Sequence, residues 1–180
     1  LQTQGLDVRL LSADDVGLPE PEETGTTFAE NALLKATAAA AATELPSVAD
    51  DSGLVVDALG GEPGVYSARY ACRHGDDEAN LQLVLERMAN VADRRARFVC
   101  VAALATPDGR RHSVEGVVEG TLTSRPRGSN GFGYDPIFVP LGAALTTAEM
   151  TADDKDAISH RGKAFRAIAA LVADELTRPR

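Results

Sequence analysis

Hydrophobic and polar positions follow two periods along this chain. The first pattern is "LDVRLLS" (6–12), whose alternation predicts a strand, ended by the acidic, proline-broken loop "LPEPEETG". From Phe28 the stretch "FAENALLKATAAAAATEL" is built of strong helix formers. Thr27 stands at the cap position, Glu30 follows at capping-box spacing and Pro46 blocks continuation, so a helix is predicted over 28–45. Next, "SVAD" and "LVVDAL" predict two short strands flanking an Asp-Ser-Gly turn, and "GGEPGVYSARYA" is a turn-rich connection. A second helix is predicted in "DDEANLQLVLERMANV", with acidic residues in its first turn and Leu81, Leu85 and Met88 on one face. The continuous apolar run "RFVCVAALAT", the turn "PDG" and the β-branched "RHSVEGVVEGTLTS" predict two antiparallel central strands joined as a hairpin. In the final helix, "SHRGKAFRAIAALVADEL", Ser159 is the cap and Phe165, Ile168, Val172 and Leu176 share a face. Strands mixed with helices predict an α/β fold with a mixed sheet flanked by helices, and not a regular doubly wound one.

Composition narrows what such a fold can do. At 180 residues the chain suits a single domain spanning 1–180. Only 4% of residues are aromatic, so the core is expected to be built from Ala, Val and Leu. A net charge of −9 argues against an extended nucleic-acid or anionic-membrane surface, because its field repels polyanions, but permits a local basic pocket. Two cysteines in unrelated contexts and three scattered histidines offer neither a disulfide framework nor zinc-ligand spacing. No run reaches the roughly 18 apolar residues of a membrane span, and no secretion signal opens the chain, so a cytoplasmic location is expected.

Three stretches carry candidate chemistry. Asp50 and Asp51 are neighbours, and neighbours in extended chain point to opposite faces, so one projects into a cleft while the other holds the turn. The same pair would equally close an Asx turn before Ser52 and Gly53. A carboxylate there suits Mg²⁺, which takes one or two oxygen ligands from protein and the rest from water and phosphates. Glu22 and Glu23, in the acidic loop, are further oxygen donors, or simply a solvated face. In "GSNGFGYDP", glycines 128, 131 and 133 free the backbone, and Phe132 and Tyr134 are expected to be presented from a loop where rings can stack on a nucleobase, or else to cap the core. Asp135, preceding Pro136, is biased toward extended backbone. His160 and Arg161 directly after a helix cap are unfavourable there unless an anion or strong acceptor sits nearby, and Lys155 and Lys163 add to the same charge. Pairing with Asp153, Asp154 and Asp156 is the plainer alternative. A hard-metal carboxylate, an aromatic ledge and a basic corner together fit a nucleotide whose phosphates meet metal and whose base meets rings and donors.

The blocks "ADDSGL", "LGGEPGVYSARYA", "GFGYDPIF" and "KDAISHRGKA" resemble, in order and over nearly the whole chain, the signature blocks of the inosine triphosphate pyrophosphatase family, the XTP/dITP pyrophosphatases. The resemblance implies an elongated two-lobed fold with a twisted central sheet and a substrate cleft between lobes. It also implies a homodimer, Mg²⁺ dependence, and hydrolysis of non-standard purine nucleoside triphosphates (ITP, dITP, XTP) to monophosphate and pyrophosphate. Carried over by position, Asp51 would be the catalytic and metal-binding carboxylate, Glu22 the second metal carboxylate, and Ser52 a substrate contact. Phe132, Gly133, Tyr134 and Asp135 would wall the base and sugar, with Lys155, His160 and Arg161 completing the pocket. Family members open with a strand and a Thr/Ser-x-Asn-x-x-Lys phosphate loop, so this chain is expected to lack both. A nucleotide-binding module without turnover and a pyrophosphatase for other modified nucleotides are the competing readings.

Overall fold

A computed structural model describes residues 8–19 and 21–178. Among these residues four strands, β1 (Ser47–Val56), β2 (Arg95–Ala105), β3 (Arg111–Leu122) and β4 (Phe138–Pro140), form one sheet in the order β1-β2-β3-β4. Where a mixed sheet was expected, the described strands make an antiparallel one, and tight connections such as the β2–β3 hairpin favour that pairing. At the β3–β4 ladder Gly120 lies opposite Pro140, and a side chain at Gly120 would strike the Val139 carbonyl and the Phe138 ring. The short β4 was not legible in "IFVP".

The helices are α1 (Phe28–Thr43), α2 (Asp77–Arg87), α3 (Ala152–Ile158) and α4 (His160–Thr177). The capping box at α1 forms as expected. The Thr27 hydroxyl accepts from the Glu30 N–H at 3.2 Å, and Glu30 accepts in return from the Thr27 N–H at 3.2 Å. Glu44 ends the helix in a left-handed conformation, φ 56°, short of the predicted end. Asp76 caps α2 through the Ala79 N–H, and Ser159 caps α4 through the Gly162 N–H at 2.9 Å. The lysine-bearing α3 was missed.

Two expectations fail locally. Of the strand predicted over 6–12, residues 6 and 7 lie outside the described residues; residues 8–12 form no ladder, and Leu10 is 79% exposed. Alternation alone does not make a strand without a neighbour to pair with. The second is the Asp-Ser-Gly turn. Residues 47–56 are one unbroken strand, so Asp50 to Gly53 are sheet residues, and a short 3₁₀ turn (Asp57–Leu59) replaces the end of the predicted second strand.

The chain divides into two compact units, and the division falls within β1, β2, β3 and α4. The first comprises Leu1–Asp51, Val101–Glu115 and Lys163–Arg180. Its core is small-residue packing: Ala32, Ala36 and Ala40 of α1 against Val101, Ala103 and Ala105 of β2. Ile168 and Val172 of α4 are buried there, but Phe165 and Leu176 are each 41% exposed. They line an open apolar groove together with Leu10, Leu11, Leu45 and Val48. The second unit comprises Ser52–Cys100 and Gly116–Gly162. Its core gathers Leu54, Leu81, Val84, Met88, Phe98, Tyr134, Ile137 and Phe138. Cys72 is exposed and Cys100 buried, and neither is in a disulfide. Among the described residues no helix is long and apolar enough to cross a membrane.

Candidate active site

The first unit contains a buried carboxylate held by a helix. In β1 adjacent side chains alternate faces, and Asp51 is buried at 8% exposure while Asp50 is half-buried. Asn31 and Lys35, four apart on α1 and therefore on one face, both reach it. Asn31 Nδ2 donates to Asp51 Oδ2 at 3.1 Å, and Lys35 Nζ donates to Asp51 Oδ1 at 3.3 Å. The Asn31 amide is oriented by the Gly25 N–H, which donates to its Oδ1 at 2.8 Å. A Cβ at Gly25 would stand 2.6 Å from that oxygen, so the approach needs glycine.

Lys35 also donates to Glu23 Oε1 at 2.8 Å, placing one ammonium between two carboxylates. It is Glu23 that belongs to this cluster; Glu22, the residue chosen from the sequence, is exposed beside it. A one-residue choice between adjacent glutamates in an irregular loop carries no periodicity to decide it. Burial pushes the Asp51 carboxyl above the ordinary aspartate range, against the opposing pull of Lys35 and Asn31, and the nearby Glu23 charge pushes the same way as burial. Burial pulls the Lys35 ammonium down, but Glu23 and Asp51 outweigh it and leave the group raised. Among the described residues no three His, Cys, Asp or Glu side chains gather as a metal cluster. The donor set here is nonetheless hard oxygen, and the Lys35 ammonium already marks a cation position between two carboxylates.

The second unit contains the aromatic and basic residues. Phe132 is 67% exposed and presented from the glycine loop as expected. Tyr134 is not presented. It is 5% exposed, part of the core, and its hydroxyl donates to the Ser67 carbonyl at 2.8 Å. Burial raises its phenol well above the usual range. Asp135 is likewise buried, at 3%. Its carboxylate accepts from the Phe132 N–H at 2.9 Å, from Thr147 Oγ1 at 2.8 Å and from Lys155 Nζ, so it organises the loop from beneath. A side chain at Gly131 would collide with that carboxylate.

Lys155, on α3, also lies 4.9 Å from the Phe132 ring centroid. His160 stacks on Phe98 with centroids 4.9 Å apart and planes 10° from parallel. A small pocket lined by Phe98, Asp135, Phe138, Thr147, Lys155 and His160 lies in this unit. Arg161 is exposed on the first turn of α4, and Ser52 is half-buried in β1.

Sequence reasoning missed Asn31, Lys35, Thr147 and Phe98. A signal existed for the first two: polar residues four apart beside Ala32 and Ala36, on the helix face that is buried. Thr147 and Phe98 had none, because one of two adjacent threonines in a loop and a phenylalanine within an apolar run carry no pattern that separates them from structural residues.

The sequence profile of the Ham1 family matches residues 1–171. The chain is 58% identical over 179 residues to a dITP/XTP pyrophosphatase of Streptomyces coelicolor, an alignment covering 98% of this chain and 90% of that protein. It is 55% identical over 172 residues to one from Deinococcus deserti, covering 96% and 81%. Among solved structures, a HAM1 protein from Coxiella burnetii superposes with a TM-score of 0.89 at 42% identity, covering 95% of this chain and 89% of that one. The Staphylococcus aureus Ham1 protein gives 0.85 at 45% identity, covering 91% and 85%. Matched along nearly its whole length in both sequence and fold, the chain belongs to the Ham1 family.

Proposed function

We propose that this chain is a Mg²⁺-dependent nucleoside triphosphate pyrophosphatase that hydrolyses non-standard purine substrates such as dITP and XTP to the nucleoside monophosphate and pyrophosphate. The observation that carries the reading is Asp51, a buried carboxylate fixed through both oxygens by Asn31 and Lys35 and made more basic than an ordinary aspartate by burial. Such a group is a stronger proton acceptor than an ordinary aspartate, which is what a general base needs. The relatives named dITP/XTP pyrophosphatase support the choice of reaction.

Asp51 takes the proton from a water whose oxygen attacks the α-phosphorus. The bond from that phosphorus to the oxygen bridging to the β-phosphate breaks, and pyrophosphate leaves with the electron pair. Asp51 and Glu23 would hold the metal, consistent with its preference for few protein carboxylates. When bound, Mg²⁺ supplies charge neutralisation on the phosphate chain. Phe132 offers the exposed ring face for a purine. His160 and Arg161 are donors suited to a 6-oxo base, an acceptor at the position where adenine carries an amino donor.

The test is pyrophosphate release from dITP, dATP and dGTP, with Mg²⁺ and with chelator, for the parent and Asp51→Asn. The parent is expected to cleave dITP selectively and only with metal. Asp51→Asn should lose about 10²–10⁴ in kcat, the contribution of a positioned base. Near-parental turnover by Asp51→Asn at saturating metal would overturn the assignment, and binding without cleavage by the parent would make this a nucleotide-binding module.

A further inference from the structure

The loop that carries Phe132 is held at two successive amides. The Phe132 N–H donates to Asp135 Oδ2 at 2.9 Å, a contact inside the loop. The Gly133 N–H donates to Asp77 Oδ2 at 2.8 Å, and Asp77 lies 56 residues earlier, at the first position of α2. We infer that Asp77 is a positioning residue for the base site, fixing Gly133 and thereby the direction in which the Phe132 ring is presented to the purine. The inference rests on the reading of Phe132 as the stacking ring.

The backbone needs such a tether. Gly131 and Gly133 both have positive φ, 75° and 59°, in a loop whose glycines leave many conformations open. Phe132 itself is 67% exposed, so core packing does not immobilise its ring, over which the Lys155 ammonium lies 4.9 Å from the centroid. By contrast α2 is anchored through Leu81 and Val84 in the core of the same unit. Asp77 is also not required as the helix cap, since Asp76 accepts from the Ala79 N–H in that role. Its carboxylate stands in the first turn, where the helix favours negative charge, and it accepts its hydrogen bond from the loop. The rigidity of α2 is thus passed to a loop that has little of its own.

Two readouts test this on the full chain. In steady-state kinetics with dITP and Mg²⁺, Asp77→Ala is expected to raise KM about five- to tenfold with kcat within about twofold, the scale of one charge-assisted hydrogen bond. Asp77→Asn keeps an acceptor oxygen for the Gly133 N–H and should restore KM. In a Phe132→Ala background, Asp77→Ala should add nothing, because it acts through the ring. The second readout is independent of turnover. The chain contains no tryptophan, so Phe132→Trp gives a single fluorophore at the ring position, and adding Asp77→Ala should speed its anisotropy decay. An unchanged KM, full additivity in the double variant, or unchanged decay overturns the role of Asp77. If the parent cleaves no dITP, the function reading fails, and the fluorescence still decides whether Asp77 orders the loop.

Discussion

Asp51 shows how a single residue can serve function at the expense of stability. Its carboxyl lies above the ordinary range because burial disfavours the charged form more than Lys35 and Asn31 favour it. A folded-state pKa above the unfolded one means that the native protein binds this proton more tightly. Ionising Asp51 therefore costs stability, a cost absent below the unfolded pKa and complete above the folded one. In metal-free protein, Asp51→Asn is expected to raise Tm by about 1–3 °C at pH 7 and to bring no such gain near pH 3, as read by calorimetry in chelator. A lower Tm at pH 7 would mean that the Lys35 contact outweighs burial. The same variant then gains stability where it loses catalysis. An Asp-Asp pair beside an apolar run drew attention to both Asp50 and Asp51, the family resemblance alone chose Asp51, and its partners on α1 were hidden in an alanine-rich helix. Tyr134 illustrates the opposite limit. Two rings separated by one glycine look equivalent in sequence, and only the available core decided that Tyr134 is buried while Phe132 is exposed.

Among the elements, local chemistry was most legible where it acts within one turn. The capping box of α1 and the Ser159 cap of α4 need only residues three apart, and both form. β1 was misread because Ser52-Gly53 has the composition of a turn, whereas pairing with β2 keeps the backbone extended through it. That difference matters chemically, since only a strand sends Asp50 and Asp51 to opposite faces. The cap of α1 sits about one turn before Asn31 and about two before Lys35, so helix start and site geometry are linked. Thr27→Ala removes an acceptor for the Glu30 N–H and should lower stability by about 1 kcal/mol in urea unfolding, with the m-value unchanged. A loss below a few tenths of a kcal/mol would show that Glu30, which also accepts from the Thr26 N–H at 2.7 Å, holds the turn without it.

At the scale of the whole molecule, the composition pointed to a core of Ala, Val and Leu, and this describes the first unit well but the second only in part. With five Phe and three Tyr in the chain, the second unit nonetheless places Phe98, Tyr134 and Phe138 in its core, Phe98 and Phe138 meeting at 4.6 Å between centroids. A percentage averages over the chain and cannot say where scarce rings are concentrated. The two cores should therefore respond to opposite kinds of substitution. In the first, Ala36 is fully buried among other alanines, so the helix lies close and has no room for branches. Ala36→Leu should overpack it and cost about 1–3 kcal/mol. In the second, Phe138 is fully buried, and Phe138→Ala removes a ring that its neighbours cannot replace, at a cost of about 3–5 kcal/mol. Chemical denaturation of the two variants separates these mechanisms. If Ala36→Leu is neutral, the alanine interface has slack that the buried areas do not suggest, and close packing is not what holds Asn31 and Lys35 in line with Asp51.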